Sequence, residues 1–168
     1  MRIYLIGYMG SGKSTVSGRL AAQLGFQRLD LDELFEEHYK IPIHRFFEKY
    51  DQTVFRTFES RLLKETESFD NVVISTGGGT PCFYDNMFWM NQHGLTVYLK
   101  ISAGAIASRL SQSKKKRPLV SQKKPDELLG FVREHLRQRN IYYSQARITI
   151  QAESIDLNEL LRLVRQYQ

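Results

Sequence analysis

Short apolar runs alternate with longer stretches in which apolar positions recur every three or four residues. Ile3-Tyr4-Leu5-Ile6 has no polar face, which predicts a strand buried on both sides, as in a parallel sheet. From Lys13 the period changes: Val16, Leu20 and Leu24 lie four apart, which predicts a helix closed by Gly25. Phe26 to Leu31, interrupted by Asp30, predicts a second strand. Helical patterning then runs from about Asp32 to Phe69, broken by Pro42, with Phe55, Phe58 and Leu62 on one buried face. Val72-Val73-Ile74-Ser75 predicts a third strand, Tyr84 to Gln92 a helix, Thr96 to Leu99 a fourth strand and Ala103 to Leu110 a helix. Trp89, with Phe88 and Met87, reads as core. Ser111 to Pro125 is polar and basic with two prolines, which predicts a loop. Leu128, Val132 and Leu136 mark a long helix, Ile148-Thr149-Ile150 a last strand, and Leu157, Leu160, Leu161 and Val164 a closing helix.

This alternation predicts an α/β fold: a three-layer α/β/α domain on a five-stranded parallel sheet with right-handed crossovers. No repeat or linker divides residues 1–168, so the expectation is one domain. Ligands of such folds bind beyond the carboxyl ends of the strands. Three of the five expected strand ends are rich in glycine or aspartate, at Gly7, Asp30 and Gly77-Gly78-Gly79.

Composition narrows the classes further. The chain has 168 residues, 42% apolar and 25% charged, enough for a core without disulfides or a structural metal. A single cysteine, Cys82, excludes an intramolecular disulfide and reads as small packing. His38, His44, His93 and His135 are scattered, without ligand spacing. The longest apolar stretches are about five residues, against the roughly 20 of a spanning helix, and no signal-peptide pattern precedes the first strand. The expectation is a cytoplasmic protein with no membrane partner. Net charge is +6 with a pI near 9.5, which suits an anionic partner. Much of the excess is local, in Lys114-Lys115-Lys116-Arg117. That run suits a solvated loop, a lid over a nucleotide or a nucleic-acid patch; no RNA-binding motif or interleaved aromatic accompanies it, so no nucleic-acid partner is expected.

Gly7-Tyr8-Met9-Gly10-Ser11-Gly12-Lys13-Ser14 fits G-x-x-x-x-G-K-[ST], between an expected strand and an expected helix. Glycines let the backbone approach phosphate, successive N–H groups form an anion nest, and the helix adds its positive end. Lys13 can reach the β- and γ-phosphates, and the Ser14 hydroxyl can ligate Mg²⁺. There is no Asn-Lys-x-Asp segment for guanine and no apolar strand ending in Asp-Glu. Asp30 and Asp32 close the second strand beside this loop. One can hold the hydration shell of Mg²⁺ and the other accept a proton from a hydroxyl, or either can cap the following helix. Gly77-Gly78-Gly79 is either a tight turn before Pro81 or a floor where backbone touches substrate. Arg56 and Glu59, three apart on a helix, are either a surface pair or a device that fixes a guanidinium to fork a carboxylate.

The phosphate loop, Asp30-Leu31-Asp32, Phe55-Arg56-x-x-Glu59, the triple glycine, Arg117-Pro118-Leu119, and Arg139 followed by Tyr142 occur in an order that resembles shikimate kinases. The resemblance runs from Arg2 to about Ile150 and implies a P-loop fold of the nucleoside-monophosphate-kinase-like kind. It implies a substrate segment near 32–62, a mobile lid near 111–124, and ATP-dependent phosphorylation of the 3-hydroxyl of shikimate by a monomer. Gly10, Ser11, Gly12, Lys13, Ser14 and Thr15 would hold the ATP phosphates. Ser14, with Asp30 and Ser75 acting through waters, would hold Mg²⁺. Asp32 would bind shikimate hydroxyls and act as base; Lys13 and Arg117 would serve the transferring phosphate. Arg56 and Arg139 would clamp the carboxylate over Gly77, Gly78 and Gly79, with Gly78 donating a backbone N–H. At the family's adenine-stacking position, counting back from Arg117, this chain has Leu110 with Arg109 beside it, and Arg109 and Arg117 join the ATP-binding residues that the resemblance implies. A small kinase acting on gluconate or a nucleoside monophosphate, and a non-catalytic nucleotide- or RNA-binding module, are the competing readings.

Overall fold

The computed structural model describes residues 1–112 and 124–167. Among them are five parallel strands: β1 (Arg2–Ile6), β2 (Gln27–Asp30), β3 (Val72–Ser75), β4 (Leu95–Lys100) and β5 (Ile148–Gln151). Their order is β2-β3-β1-β4-β5. Ile3, Tyr4, Leu5 and Ile6 are each 0% exposed. Since neighbouring side chains on a strand point to opposite faces, helices must cover both sides of β1. The edge strand β5 instead alternates, with Ile148 and Ile150 buried and Thr149 and Gln151 exposed.

Helices α1 (Lys13–Leu24), α2 (Leu31–Tyr39), α3 (Ile43–Lys49), α4 (Gln52–Glu65), α5 (Asn86–His93), α6 (Ala103–Gln112), α7 (Pro125–Tyr143) and α8 (Leu157–Arg165) connect the strands. Gly25 closes α1 as expected, at φ +67°, with its N–H on the Ala21 carbonyl. The second strand is shorter than its apolar pattern suggests. Asp30 Oδ1 accepts the Asp32 N–H at 3.1 Å, so the chain turns helical at Leu31. The stretch expected as broken helix becomes three helices. Lys40 in the left-handed region ends α2, Pro42 precedes α3, and Asp51 Oδ1 accepts the Val54 N–H at 2.9 Å to open α4. The three are bound by aromatic packing, with Phe35 4.8 Å from Phe55 and 5.1 Å from Phe46, ring centre to ring centre. This small core carries Arg56 and Glu59 to the sheet edge.

Two boundaries differ from expectation near the basic segment. Residues 111 and 112 complete α6, and Pro125 opens α7. Residues 113–123, most of the expected lid with Arg117, lie outside the described residues. Phe88 is also not core: it is 65% exposed, while Met87, Trp89 and Met90 are buried. At 100° per residue, position 88 falls on the outer face of α5.

The topology explains where a ligand can sit. The chain leaves β1 toward β2 and leaves β3 the opposite way, past β1, toward β4. A crevice therefore opens between the carboxyl ends of β1 and β3. At the other end of the sheet Gly94 is a close approach: a Cβ there would stand 2.6 Å from the Arg2 carbonyl oxygen and 2.8 Å from the Tyr4 ring. Gly94→Ala should therefore destabilise the fold by about 1–3 kcal/mol without altering the site, measured as a denaturant midpoint shift at constant slope. An unchanged midpoint would mean that β1 yields there without cost.

Candidate active site

The loop after β1 is built on left-handed glycines: Gly7 at φ +144°, Gly10 at +82° and Gly12 at +94°. Gly7 is also a close approach, since a Cβ there would lie 2.8 Å from the Leu99 carbonyl oxygen. Lys13 is buried and folds its ammonium onto the loop, donating to the Gly7 and Tyr8 carbonyls at 2.8 and 3.0 Å. Ser11 Oγ is buried without a hydrogen-bond partner among the described residues. Ser14 and Thr15 are exposed in the first turn of α1. Arg109 of α6 donates Nη1 to the Gly10 carbonyl at 2.9 Å, and Leu110 lies against Gly10. The loop is thus a concave run of backbone at a helix N-terminus, flanked by cations, the chemistry that holds phosphate.

Beside it, Ser14 Oγ donates to Asp30 Oδ2 at 2.9 Å, and Asp30 pairs in register with the buried Ser75 of β3. Two hydroxyls and a carboxylate make an all-oxygen donor set, suited to a hard cation that keeps several waters, as Mg²⁺ does. No cluster of three histidine, cysteine or acidic side chains occurs among the described residues, so nothing there competes as a caged metal site. Asp30 both caps α2 and meets Ser14.

The triple glycine is a matter of space rather than of torsion, for none of the three has positive φ. A Cβ on Gly77 would lie 2.8 Å from Glu59 Oε1, 2.9 Å from Thr80 Oγ1 and 3.2 Å from Asp32 Oδ1. One on Gly78 would lie 3.2 Å from the Met9 nitrogen and 3.3 Å from Arg139 Nη1, and one on Gly79 would lie 2.7 Å from Arg56 Cζ. The glycine floor therefore touches the phosphate loop, Asp32 and both arginines. The structure brings these together from five elements.

Arg56 and Glu59 are not a surface pair. They are 8% and 2% exposed and 2.7 Å apart, and Thr80 Oγ1 donates to the other Glu59 oxygen at 2.6 Å. The Arg56 guanidinium lies 4.4 Å from the Phe83 ring centre and 5.1 Å from that of Phe55. Arg139 is equally buried, 5.4 Å from the Tyr8 ring centre. Among the described residues Arg56 Nε and Arg139 Nη1 have no hydrogen-bond partner. Two buried cations, one buried carboxylate and two unused N–H donors call for an anion in this crevice. Thr80, Phe83 and Tyr143, whose hydroxyl donates to the Gly78 carbonyl at 2.5 Å, support the floor and were not singled out in the sequence. Burial pushes the nearby Cys82 thiol up to about 11, so it is inert packing, as expected.

Comparison with known proteins agrees. The shikimate kinase family model matches residues 9–166. A shikimate kinase of Parabacteroides distasonis is 43% identical over 154 residues, 92% of this chain and 89% of that protein. The crystal structure of shikimate kinase from Bacteroides thetaiotaomicron superposes with a TM-score of 0.91 at 36% identity, covering 99% of this chain and 97% of that one. The chain belongs to the shikimate kinase family. A third relative, shikimate kinase from Acinetobacter baumannii in complex with shikimate, has a TM-score of 0.84 at 33% identity and covers 99% of this chain and 91% of that one. The expected P-loop fold holds. The expected lid arginine, Arg117, lies outside the described residues.

A histidine at the site also titrates abnormally. Burial, reinforced by Arg139, lowers His135 from 6.5 to about 4. The folded chain then binds fewer protons at this residue than the unfolded chain between about pH 6.5 and 4. Its contribution is present in full above that window and is lost as pH falls through it. Chemical denaturation should show stability declining from pH 7 to pH 5, and His135→Gln should flatten part of that slope; an unaltered slope would assign the decline to other groups.

Proposed function

We propose that this chain transfers the γ-phosphoryl group of ATP to the 3-hydroxyl of shikimate, giving shikimate 3-phosphate and ADP. The observation that carries this reading is the pair of buried guanidiniums with unused N–H donors, set over a glycine floor that also touches the phosphate loop and Asp32. A small carboxylic acid with hydroxyls satisfies both ends of that crevice. The Acinetobacter baumannii relative, solved with shikimate, supports the same choice.

In this reading residues 1–168 form one kinase domain, with 32–62 as substrate segment and 111–124 as lid. Arg56 and Arg139 fork the carboxylate and set the ring's position, and the Gly78 N–H donates to the substrate. Asp32 hydrogen-bonds the hydroxyls and takes the proton as the oxygen attacks phosphorus and the bond to the β-phosphate oxygen breaks. Gly10 to Thr15 cradle the phosphates. Lys13 exchanges its carbonyl partners for the transferring group and neutralises charge there. Ser14, with Asp30 and Ser75 acting through waters, would hold Mg²⁺, which would supply charge neutralisation to the phosphates when bound. Arg109 holds the loop from the α6 side, and Arg117 serves the phosphate from the lid. No helix among the described residues is long and apolar enough to cross a membrane. The reading keeps the expectation of a monomer in the cytoplasm, with ATP and shikimate rather than nucleic acid as partners.

The direct test is ADP release coupled to a dehydrogenase signal, with shikimate, gluconate and nucleoside monophosphates as acceptors. Turnover should appear with shikimate; turnover with gluconate or a nucleotide alone would replace the assignment, and none at all would favour a binding module.

Two substitutions test the roles. Asp32→Asn keeps the shape but removes the basicity, so kcat should fall by about 10²-fold or more while shikimate affinity by calorimetry changes little. Retained turnover would leave Asp32 as a positioning group only. Arg56→Lys keeps charge but loses the fork, so KM for shikimate should rise roughly 10- to 100-fold with KM for ATP nearly constant. If both KM values rose together, Arg56 would be a scaffold for the whole site.

A further inference from the structure

Tyr8, the first residue after Gly7 in the phosphate loop, is 0% exposed, and its hydroxyl lies 2.8 Å from Nδ1 of His135 in α7. The two rings meet edge to face with centroids 5.5 Å apart. A buried phenol needs one partner, and a nearby carbonyl would satisfy it. Here the partner instead comes from a helix 127 residues away, and that helix carries Arg139 one turn later. His135, Arg139 and Tyr143 lie at i, i+4 and i+8, so they share one face of α7. Each meets a different part of the crevice. His135 holds Tyr8, Tyr143 donates to the Gly78 carbonyl, and Arg139 lies between them against the Tyr8 ring.

We propose that Tyr8 and His135 are positioning residues for the substrate carboxylate: their hydrogen bond fixes the phosphate loop to α7 and so sets the aim of the Arg139 guanidinium. This rests on the reading of Arg139 as a carboxylate anchor. A guanidinium has many rotamers, and each that is frozen before binding is a cost removed from binding. The Tyr8 ring closes one side of Arg139 and the Gly78 backbone another, and Nη1 is buried there without a hydrogen-bond partner among the described residues. Since His135 is held neutral, the pair provides this restraint without adding a second charge that would compete for the anion.

The experiment compares shikimate with its methyl ester, which keeps the ring and hydroxyls but loses the charge. Wild-type chain, Tyr8→Phe, His135→Leu and the double variant are measured for kcat and KM with both acceptors and with ATP. The expected result is a rise of about three- to tenfold in KM for shikimate in either single variant, with little change for the ester or for ATP. The double variant should be no worse than the more affected single variant, because both remove the same bond. His135→Gln, which retains an acceptor for the phenol, should recover much of the loss. Tyr8→Phe removes one oxygen and keeps the ring, so it separates this role from a failure to fold. Equal penalties on acid and ester, or multiplicative effects in the double variant, would overturn the inference and leave the pair as packing. A wild-type chain indifferent to the carboxylate would overturn the reading of Arg139 itself, and this inference with it.

Discussion

Arg56 and Glu59 are buried together, and removing such a pair from water costs several kcal/mol per ion before any contact forms. The surrounding fold is arranged to offset that cost. The carboxylate is doubly bonded, to Arg56 at 2.7 Å and to Thr80 at 2.6 Å, and the guanidinium lies between Phe55 and Phe83. Satisfaction of the pair is nonetheless incomplete, because Nε has no hydrogen-bond partner among the described residues, and Arg139 adds a second buried cation whose Nη1 likewise has none among them. A core designed only for stability would remove these charges. Their retention at a crevice mouth is the stability–activity compromise expected where a binding site must be ready for an anion.

That constraint reaches back to the backbone. The guanidinium of Arg56 stands 2.7 Å from where a side chain on residue 79 would begin, so any side chain there would have to displace the guanidinium from its place. The same holds at 77, where two oxygens of the Glu59–Thr80 pair crowd the missing Cβ. The floor is bare of side chains where the charged groups around it leave little room. Being bare, it lets a substrate approach the backbone N–H groups and the phosphate loop at once. Packing around a buried ion pair and access for a ligand are thus the same geometric fact seen from two sides.

The strands and the phosphate loop were legible because each depends on a local signal. Ile3 to Ile6 and Val72 to Ser75 are apolar on both faces, and the loop requires glycine where φ is positive, at Gly7, Gly10 and Gly12. The pairing of Arg56 with Glu59 was legible as an i, i+3 spacing, but its burial was not, since that depends on α2 and α3 packing Phe35 and Phe46 against Phe55. Thr80 and Phe83 carry no motif of their own; they matter only through what folds against them. The His135, Arg139 and Tyr143 spacing was available in the chain, yet its meaning depended on knowing that Tyr8 and Gly78 lie opposite. Phe88 and Leu31 depart from what local hydrophobicity suggests, because the helix phase at 88 and the Asp30 cap at 31 decide where each side chain lies.

Asp30 shows why a structural and a chemical role need not be rivals. Its Oδ1 caps α2 through the Asp32 N–H, and its Oδ2 accepts from Ser14. The cap fixes the carboxylate's rotation, and the fixed rotation aims the second oxygen at the phosphate loop. It also starts the helix early enough that Asp32 falls in the first turn, facing Gly77, rather than continuing along the strand. One short carboxylate therefore sets the positions of both acidic groups at the site. A longer side chain at residue 30 would move the second oxygen even if its charge were kept, so the requirement is for aspartate by length as much as by charge. The same logic applies to the crevice as a whole: the groups suited to chemistry are held by contacts that the fold needs for its own ends.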